Sequence, residues 1–247
     1  MSLPHFYAKS LRTQMLCHPR WLPGEGVVPG DIGIMRDGVF QWEGSYSEYT
    51  AVAADLAEEE IPTSARSKFS VGVTMSLSVG GEATIDPNAK VGGKLAVRRG
   101  GGVLLHVPTQ RRGFIRNLRE VLGALPWGSE GFGKETVLVS EVRLARAIAL
   151  VVSETGDTSI DLTGKATALQ QLDIADASVT FGGSSEAVYA TSVGDPESDA
   201  FHPYGMLLYK ARSEWWQDGK PVPLEAGRDN DDPMWPFVEV SPYDDGL

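Results

Sequence analysis

From Phe69 to Val79 the chain reads FSVGVTMSLSV, and apolar Phe69, Val71, Val73, Met75, Leu77 and Val79 alternate with small or polar residues without a miss. A period of two is the mark of a strand with one apolar and one polar face. Gly80-Gly81 supplies a turn, and a second alternating run continues through Ala83, Ile85, Ala89, Val91, Leu95 and Val97, interrupted at Asp86-Pro87-Asn88. The stretch 69–97 therefore reads as a long hairpin region. After Gly100-Gly101-Gly102, the run VLLHV has the continuous apolar character of a buried strand.

A second long strand region is expected from Thr136. Leu138, Val142, Leu144, Ile148, Leu150 and Val152 share one parity, and Val139, Glu141, Arg143, Ala145, Ala147 and Ala149 occupy the other. Glu154 to Asp157 reads as a turn, and TSIDLTGKATAL and ADASVTF continue the sheet pattern, so 136–181 forms the second hairpin region. AVYATSV follows the Gly182-Gly183 turn, and PYGMLLYK (203–210) reads as a last core strand.

Helical spacing occurs in three places. In FYAKSLRTQML (6–16), Phe6, Leu11, Met15 and Leu16 share a face while Lys9 and Arg12 point elsewhere, and His18-Pro19 ends the segment. The alanine- and glutamate-rich SEYTAVAADLAEEE (47–60) predicts a short helix stopped at Ile61-Pro62. From Gln110 to Leu125, an apolar stripe of Phe114, Leu118, Val121, Leu122 and Leu125 predicts a basic amphipathic helix carrying Arg111, Arg112, Arg116 and Arg119. DIGIM and VFQWEG, bracketed by turn signals, read as short strands. The fold class expected is α+β: a twisted, mostly antiparallel sheet with flanking helices.

Charge divides the chain unevenly. Of a net charge of −11, the segment from Ser213 to Leu247 contributes −7, with nine acidic residues against Lys220 and Arg228. We expect a domain over 1–212 and an acidic extension over 213–247 that carries Trp215, Trp216, Trp235 and Phe237 without clear periodicity. The acidic total argues against nucleic acid as a partner. No apolar run reaches the length of a membrane-crossing helix, and the first residues lack the apolar core of a secretory signal. The single cysteine, Cys17, excludes an internal disulfide and fits a reducing, cytoplasmic setting, where it would act as a small buried hydrophobe.

Catalytic chemistry is not legible. His5, His18, His106 and His202 lack metal-ligand spacing, and adjacency of Cys17 and His18 in sequence does not make a thiol–base pair. The glycines at 100–102 lack the frame of a phosphate-binding loop, and Gly182-Gly183-Ser184-Ser185 lacks the spacing of a nucleophile elbow. We expect no catalytic residues, no metal and no cofactor.

The order of elements resembles the pore-forming domain of gasdermins, in their short bacterial and fungal forms. The echoes are FYAKSLRTQML at the start, ETVLVSEVRLARAIALVVSETGDTSIDL in the middle and PYGMLLYKAR near the end. The resemblance implies an autoinhibited protein, monomeric and cytoplasmic when inactive, that is activated by a protease through loss of its C-terminal segment. It would then oligomerise as a β-barrel in the inner or plasma membrane, in cell death and defence. On that view Lys9, Arg12, Arg111, Arg112, Arg116 and Arg119 meet anionic lipid. Phe69, Val71, Val73, Met75, Leu77, Val79, Leu138, Val142, Leu144, Ile148 and Leu150 supply the membrane strands. Trp215, Trp216, Trp235 and Phe237 belong to the restraint, and Cys17 is a candidate for lipidation. Alternation alone also fits an ordinary half-buried sheet, and with it a non-enzymatic binding or scaffold module. An unrecognised hydrolase is the third class.

Overall fold

The computed structural model describes residues 2–36, 39–62, 65–78, 90–129, 132–156, 158–165, 180–182, 188–211, 216–217, 220–221 and 237–240. These are predominantly strands in antiparallel sheets, with two helices. Helix α1 (Leu3–Met15) starts with a proline in its first turn and ends at Leu16, whose positive φ closes the helix through its amide on the Arg12 carbonyl.

The body sheet is built on β10 (Thr136–Ala145). One edge of β10 pairs with β15 (His202–Ala211). Along the other edge, its first residues pair with β2 (Asp31–Arg36) and its last with β9 (Gln110–Ile115). Strand β3 (Val39–Ser45) extends β2, and β4 (Leu56–Glu60) extends β9. The outer edge of β15 holds β1 (His18–Pro19) and β18 (Phe237–Glu239). One face of this sheet packs Met35, Val137, Val139, Met206 and Val240. The opposite face packs Ile32, Leu138 and Phe237 under α2 (Leu118–Ala124).

Two further sheets lie face to face. The middle sheet runs β14 (Val188–Gly194), β11 (Ala147–Ser153), β8 (Gly102–His106), β5 (Lys68–Val71). The outer sheet runs β13 (Thr180–Gly182), β12 (Thr158–Lys165), β7 (Lys90–Val97), β6 (Val73–Ser78). Leu104, Ala149, Val151 and Val188 of the middle sheet pack against Leu95, Ile160 and Leu162 of the outer one. The reverse face of the middle sheet, with Phe69, Leu105, Ile148 and Leu150, is covered by Tyr7 and Leu11 of α1. Strands β16 (Trp216–Gln217) and β17 (Lys220–Pro221) pair with each other as a separate two-stranded sheet.

Four sequence expectations are corrected. Residues 110–115 are strand, and the helix occupies only Leu118–Ala124, because Phe114 pairs into the sheet between β10 and β4. Residues 47–60 hold a 3-10 turn at Tyr46–Glu48 and then strand β4, where pairing with β9 overrides the helical propensity of Ala and Glu. The run 69–79 is divided at Gly72 between two sheets, and Val79 lies outside the described residues. The region 136–181 is likewise no single hairpin. Strand β10 belongs to the body sheet and is buried on both faces, so Leu138 and Val142 are core, with Leu144 packed beside them.

Candidate functional site

The middle and outer sheets list their strands in the same order, and each outer strand is continuous in the chain with its counterpart in the middle sheet. Strand β5 passes into β6 through Gly72, β7 into β8 through 98–101, β11 into β12 through 154–157, and β13 into β14 through 183–187. The outer sheet is therefore the middle sheet folded back on itself. The first three breaks meet one another. The Arg98 amide donates to the Gly72 carbonyl at 2.8 Å, and a Cβ at Gly156 would strike the backbone of Arg98–Gly100. Gly72 has φ +66°, and any Cβ there would run into the Gly101 carbonyl, so only glycine makes this bend without strain.

Side-chain parity survives the breaks. In β5–β6, Phe69, Val71 and Val73 are odd-numbered; in β7–β8, so are Leu95, Val97, Val103 and Leu105. In β11–β12, Ile148, Leu150, Val152, Ile160 and Leu162 are all even, and in β13–β14, Phe181, Tyr189 and Val193 are all odd. The registers align these sets across the sheets: Phe69 with Leu105, Leu105 with Leu150, Val152 with Tyr189, Val73 with Val97, Leu95 with Ile160, and Leu162 with Phe181. A straightened sheet of these four strands would carry one continuous apolar face. The other parity of the outer sheet is exposed and polar or small: Thr74, Ser76, Gly92, Lys94, Ala96, Ser159, Asp161 and Thr163. Lys94 and Asp161 are register partners there, a favourable pairing of opposite charges.

Of the expected membrane-strand residues, the structure brings Phe69, Val71, Val73, Met75, Leu77, Ile148 and Leu150 into this paired-sheet unit. Leu138, Val142 and Leu144 are outside it. The unit also contains Leu95, Val97, Val103, Leu105, Ile160 and Leu162, which are not among the expected membrane-strand residues. Their alternation was visible, but not their neighbours.

The expected basic surface is divided. Lys9 is exposed on α1, and Arg12 is half-buried on the same helix. Arg111 and Arg112 stand on β9 opposite the Glu58–Glu60 run of β4. Arg111 pairs with Glu58 at 2.9 Å, Arg112 pairs with Glu59 and with Glu141 at 3.4 Å, and Arg116 reaches Asp55 at 3.7 Å. The hydrogen bond to Glu59 is the main reason the Arg112 guanidinium holds its proton more tightly than usual. Arg119 lies in α2, away from the β9 pair. The arginines thus form no single helical face.

Cys17 is buried with its Sγ where a Cβ on Gly205 would overlap it. Burial pushes its thiol pKa up to about 12. In the folded chain Cys17 packs as a small core residue.

The expected restraint residues have different fates. Trp215 and Trp235 lie outside the described residues, and Trp216 is in β16. Phe237 packs into the body: it is buried in β18, and its ring lies 5.4 Å from that of Trp127. Among the described residues no group of three or more His, Cys, Asp or Glu side chains is placed to hold a metal ion. No described helix is long and apolar enough to cross a membrane, which says nothing of crossing by strands.

These elements define a predominantly antiparallel β protein with a folded-back, two-faced sheet on a buried body. No protein-family model and no curated protein matches the chain. Among solved structures, it is similar to a bacterial gasdermin from Bradyrhizobium tropiciagri at 13% identity and a TM-score of 0.35, over 95% of this chain and 90% of that one. A likeness at that level assigns neither family nor activity.

Proposed function

We propose that this chain permeabilises membranes as an oligomeric β-barrel, its folded-back sheet straightening as it inserts. The reading rests on one observation: apolar parity is continuous through the breaks of all four strands. Strands β8 and β11 are buried on both faces and so are apolar at both parities; the signal is in the outer sheet, where Leu95, Val97, Ile160 and Leu162 alternate with exposed polar or small residues in the parity that continues Leu105, Leu150 and Val152. Straightened, the strands would run 68–78, 90–106, 147–165 and 180–194, the first matching and the other three exceeding the roughly 9–11 residues that cross a bilayer. One face would meet lipid; the other is polar or small along the outer-sheet half, with Thr74, Ser76, Lys94, Ser159, Asp161 and Thr163, and carries apolar Leu104, Ala149, Val151 and Val188, as well as Ser70, along the middle-sheet half.

Opening the fold exposes Leu95, Ile160 and Leu162, at a cost of roughly 5–9 kcal/mol for those three side chains. A bilayer gives the same surfaces an apolar environment again, and closure of a ring satisfies the strand edges. Helix α1 covers the apolar face of the middle sheet and has to leave it. Cleavage within 213–236 by a protease is the proposed trigger, since this acidic segment is tied back to the body through β18. The inactive form is then a cytoplasmic monomer, and the end point is cell death through loss of the membrane barrier.

The test is depth-dependent quenching of single-site fluorophores in a Cys17→Ser background. After cleavage and addition to vesicles rich in anionic phospholipid, probes at positions 160 and 162 should be quenched by nitroxide-labelled acyl chains, and probes at 161 and 163 should not. Dye release should accompany the pattern. Equal quenching at both parities, or vesicles that never leak, would refute the proposal.

A further inference from the structure

The C-terminal strand β18 occupies the body in an unusual way. It lies at the outer edge of β15, with Phe237, Val238 and Glu239 in register with Ala211, Lys210 and Tyr209. Its side chains clasp the sheet from both sides. Phe237 enters the core on the α2 face beside Trp127, and Val240 is fully buried on the opposite face with Met206 and Leu208. The backbone is held as well. The Val240 amide donates to the Leu208 carbonyl at 2.7 Å, and the Val240 carbonyl meets His18 Nε2 at 2.9 Å from the neighbouring β1. The Tyr209 hydroxyl donates to the Glu239 carboxylate at 3.4 Å.

Between Ala211 and Phe237 run 25 residues that are rich in acidic residues and proline. The strand is therefore joined to its seat by a long connector, so its occupancy depends on tethering as well as on contacts. Addition of an extended segment to a sheet edge, with backbone bonds for affinity and alternate pockets for specificity, is a general mode of peptide recognition.

We infer that the β15 edge, bounded by β1 and by Trp127, is a strand-acceptor site for an extended peptide. Its preferred ligand carries an aromatic residue and, three positions later, an aliphatic one, with a carboxylate between them opposite Tyr209. Phe237–Val240 fills it in cis. Once the connector is cut, the local concentration of this segment falls to that of a free peptide, and the site accepts such a strand from another chain. The tail cleavage invoked above is the occasion on which the site opens, but the inference stands without any membrane activity.

The experiment uses the full chain with a specific protease site introduced in the connector, and a fluorescein-labelled peptide of residues 234–242. Fluorescence polarisation is read for intact and nicked protein, with circular dichroism checking that the nicked chain remains folded. The peptide should bind nicked protein at least about ten-fold more tightly than intact protein. Phe237→Ala and Val240→Asp in the peptide should each weaken binding by about ten-fold or more. Equal binding to intact and nicked protein would overturn the inference, as would indifference to either peptide substitution. So would no binding to the nicked chain, or its unfolding, since the seat must persist when empty. Vesicle leakage does not enter the readout, so failure here is separable from failure of the membrane reading.

Discussion

The Gly72 carbonyl accepts a hydrogen bond from the Arg98 amide at 2.8 Å, which ties the bend between β5 and β6 to the bend between β7 and β8. Gly72 holds φ +66°, a conformation that costs an ordinary L-residue about 1–2 kcal/mol. Its α-hydrogen also faces the Gly101 carbonyl, where a Cβ would collide with backbone. Gly72→Ala should therefore destabilise the folded-back form by about 2 kcal/mol or more, measured by urea unfolding. A straight strand has no such strain, so the same variant should release dye from vesicles faster once cleaved. A variant that loses stability and leaks more slowly would contradict the straightening of this strand.

The acidic strand β4 should compete with lipid for β9. Glu58 and Glu59 hold Arg111 and Arg112, and all four side chains keep contact with solvent. Exposed pairs of this kind contribute about 0–1 kcal/mol, so Glu58→Gln with Glu59→Gln should move the thermal midpoint only slightly. Arg111 then keeps only Glu60 at 3.9 Å and Arg112 only Glu141 at 3.4 Å. Each cation that turns to an anionic surface is worth about 1 kcal/mol, so the double variant should bind acidic vesicles more strongly, and lose the gain in high salt. Sedimentation with vesicles of graded anionic content measures this. Unchanged binding would place the β9 arginines away from the bilayer.

Much of the strand content was legible, because alternation from Phe69 onward and the apolar run at 103–107 need only a period of two. The bend at Gly72 was not legible, since a glycine at a polar position leaves the alternation intact while φ changes sign. In β10, the register slips between Val139 and Glu141, so Leu138 and Val142 share a sequence parity but pack on opposite faces of the body sheet. In sequence, Arg111 and Arg112 stand off the apolar stripe of an expected helix. Their true neighbours, Glu58 to Glu60, are about fifty residues away, and one sequence cannot state that pairing. The apolar residues of the paired sheets were visible singly; their shared face emerges only from the registers. Phe237 sat in an acidic tail without periodicity, and a strand of three residues is too short to show any.

Cys17 should behave as a core group. Burial raises its pKa from about 9 to about 12, so the thiol stays protonated in the folded chain at pH values that ionise it in the unfolded one. Between those values the folded state binds the extra proton, and stability falls as pH rises, by up to about 1.4 kcal/mol per pH unit from this group. Tyr7 and Tyr204, also raised by burial, add to the loss at still higher pH. A Cys17→Ala variant should show a shallower alkaline decline in urea-melt stability between pH 9 and 11. Native protein at pH 8 should react with a water-soluble thiol reagent only on unfolding. Rapid labelling without denaturant would show an accessible thiol and would support the case for acylation.

His18 is 222 residues from Val240 in sequence, and its ring joins β1 to the end of β18 inside the body. In His18→Ala the Val240 carbonyl loses this partner in a buried site, a loss of about 1–3 kcal/mol. The loss should fall first on the C-terminal strand, because β18 contributes only three register pairs to β15 while β10 contributes seven. Amide hydrogen exchange at Val238 and Val240 should accelerate well before that of β10. His18→Gln, whose amide can donate to the same carbonyl, should restore part of the protection; a variant filling the space with Leu should not. If exchange speeds up equally in β10 and β18, the strand is an inseparable part of the body, and cutting the connector would not be expected to free it.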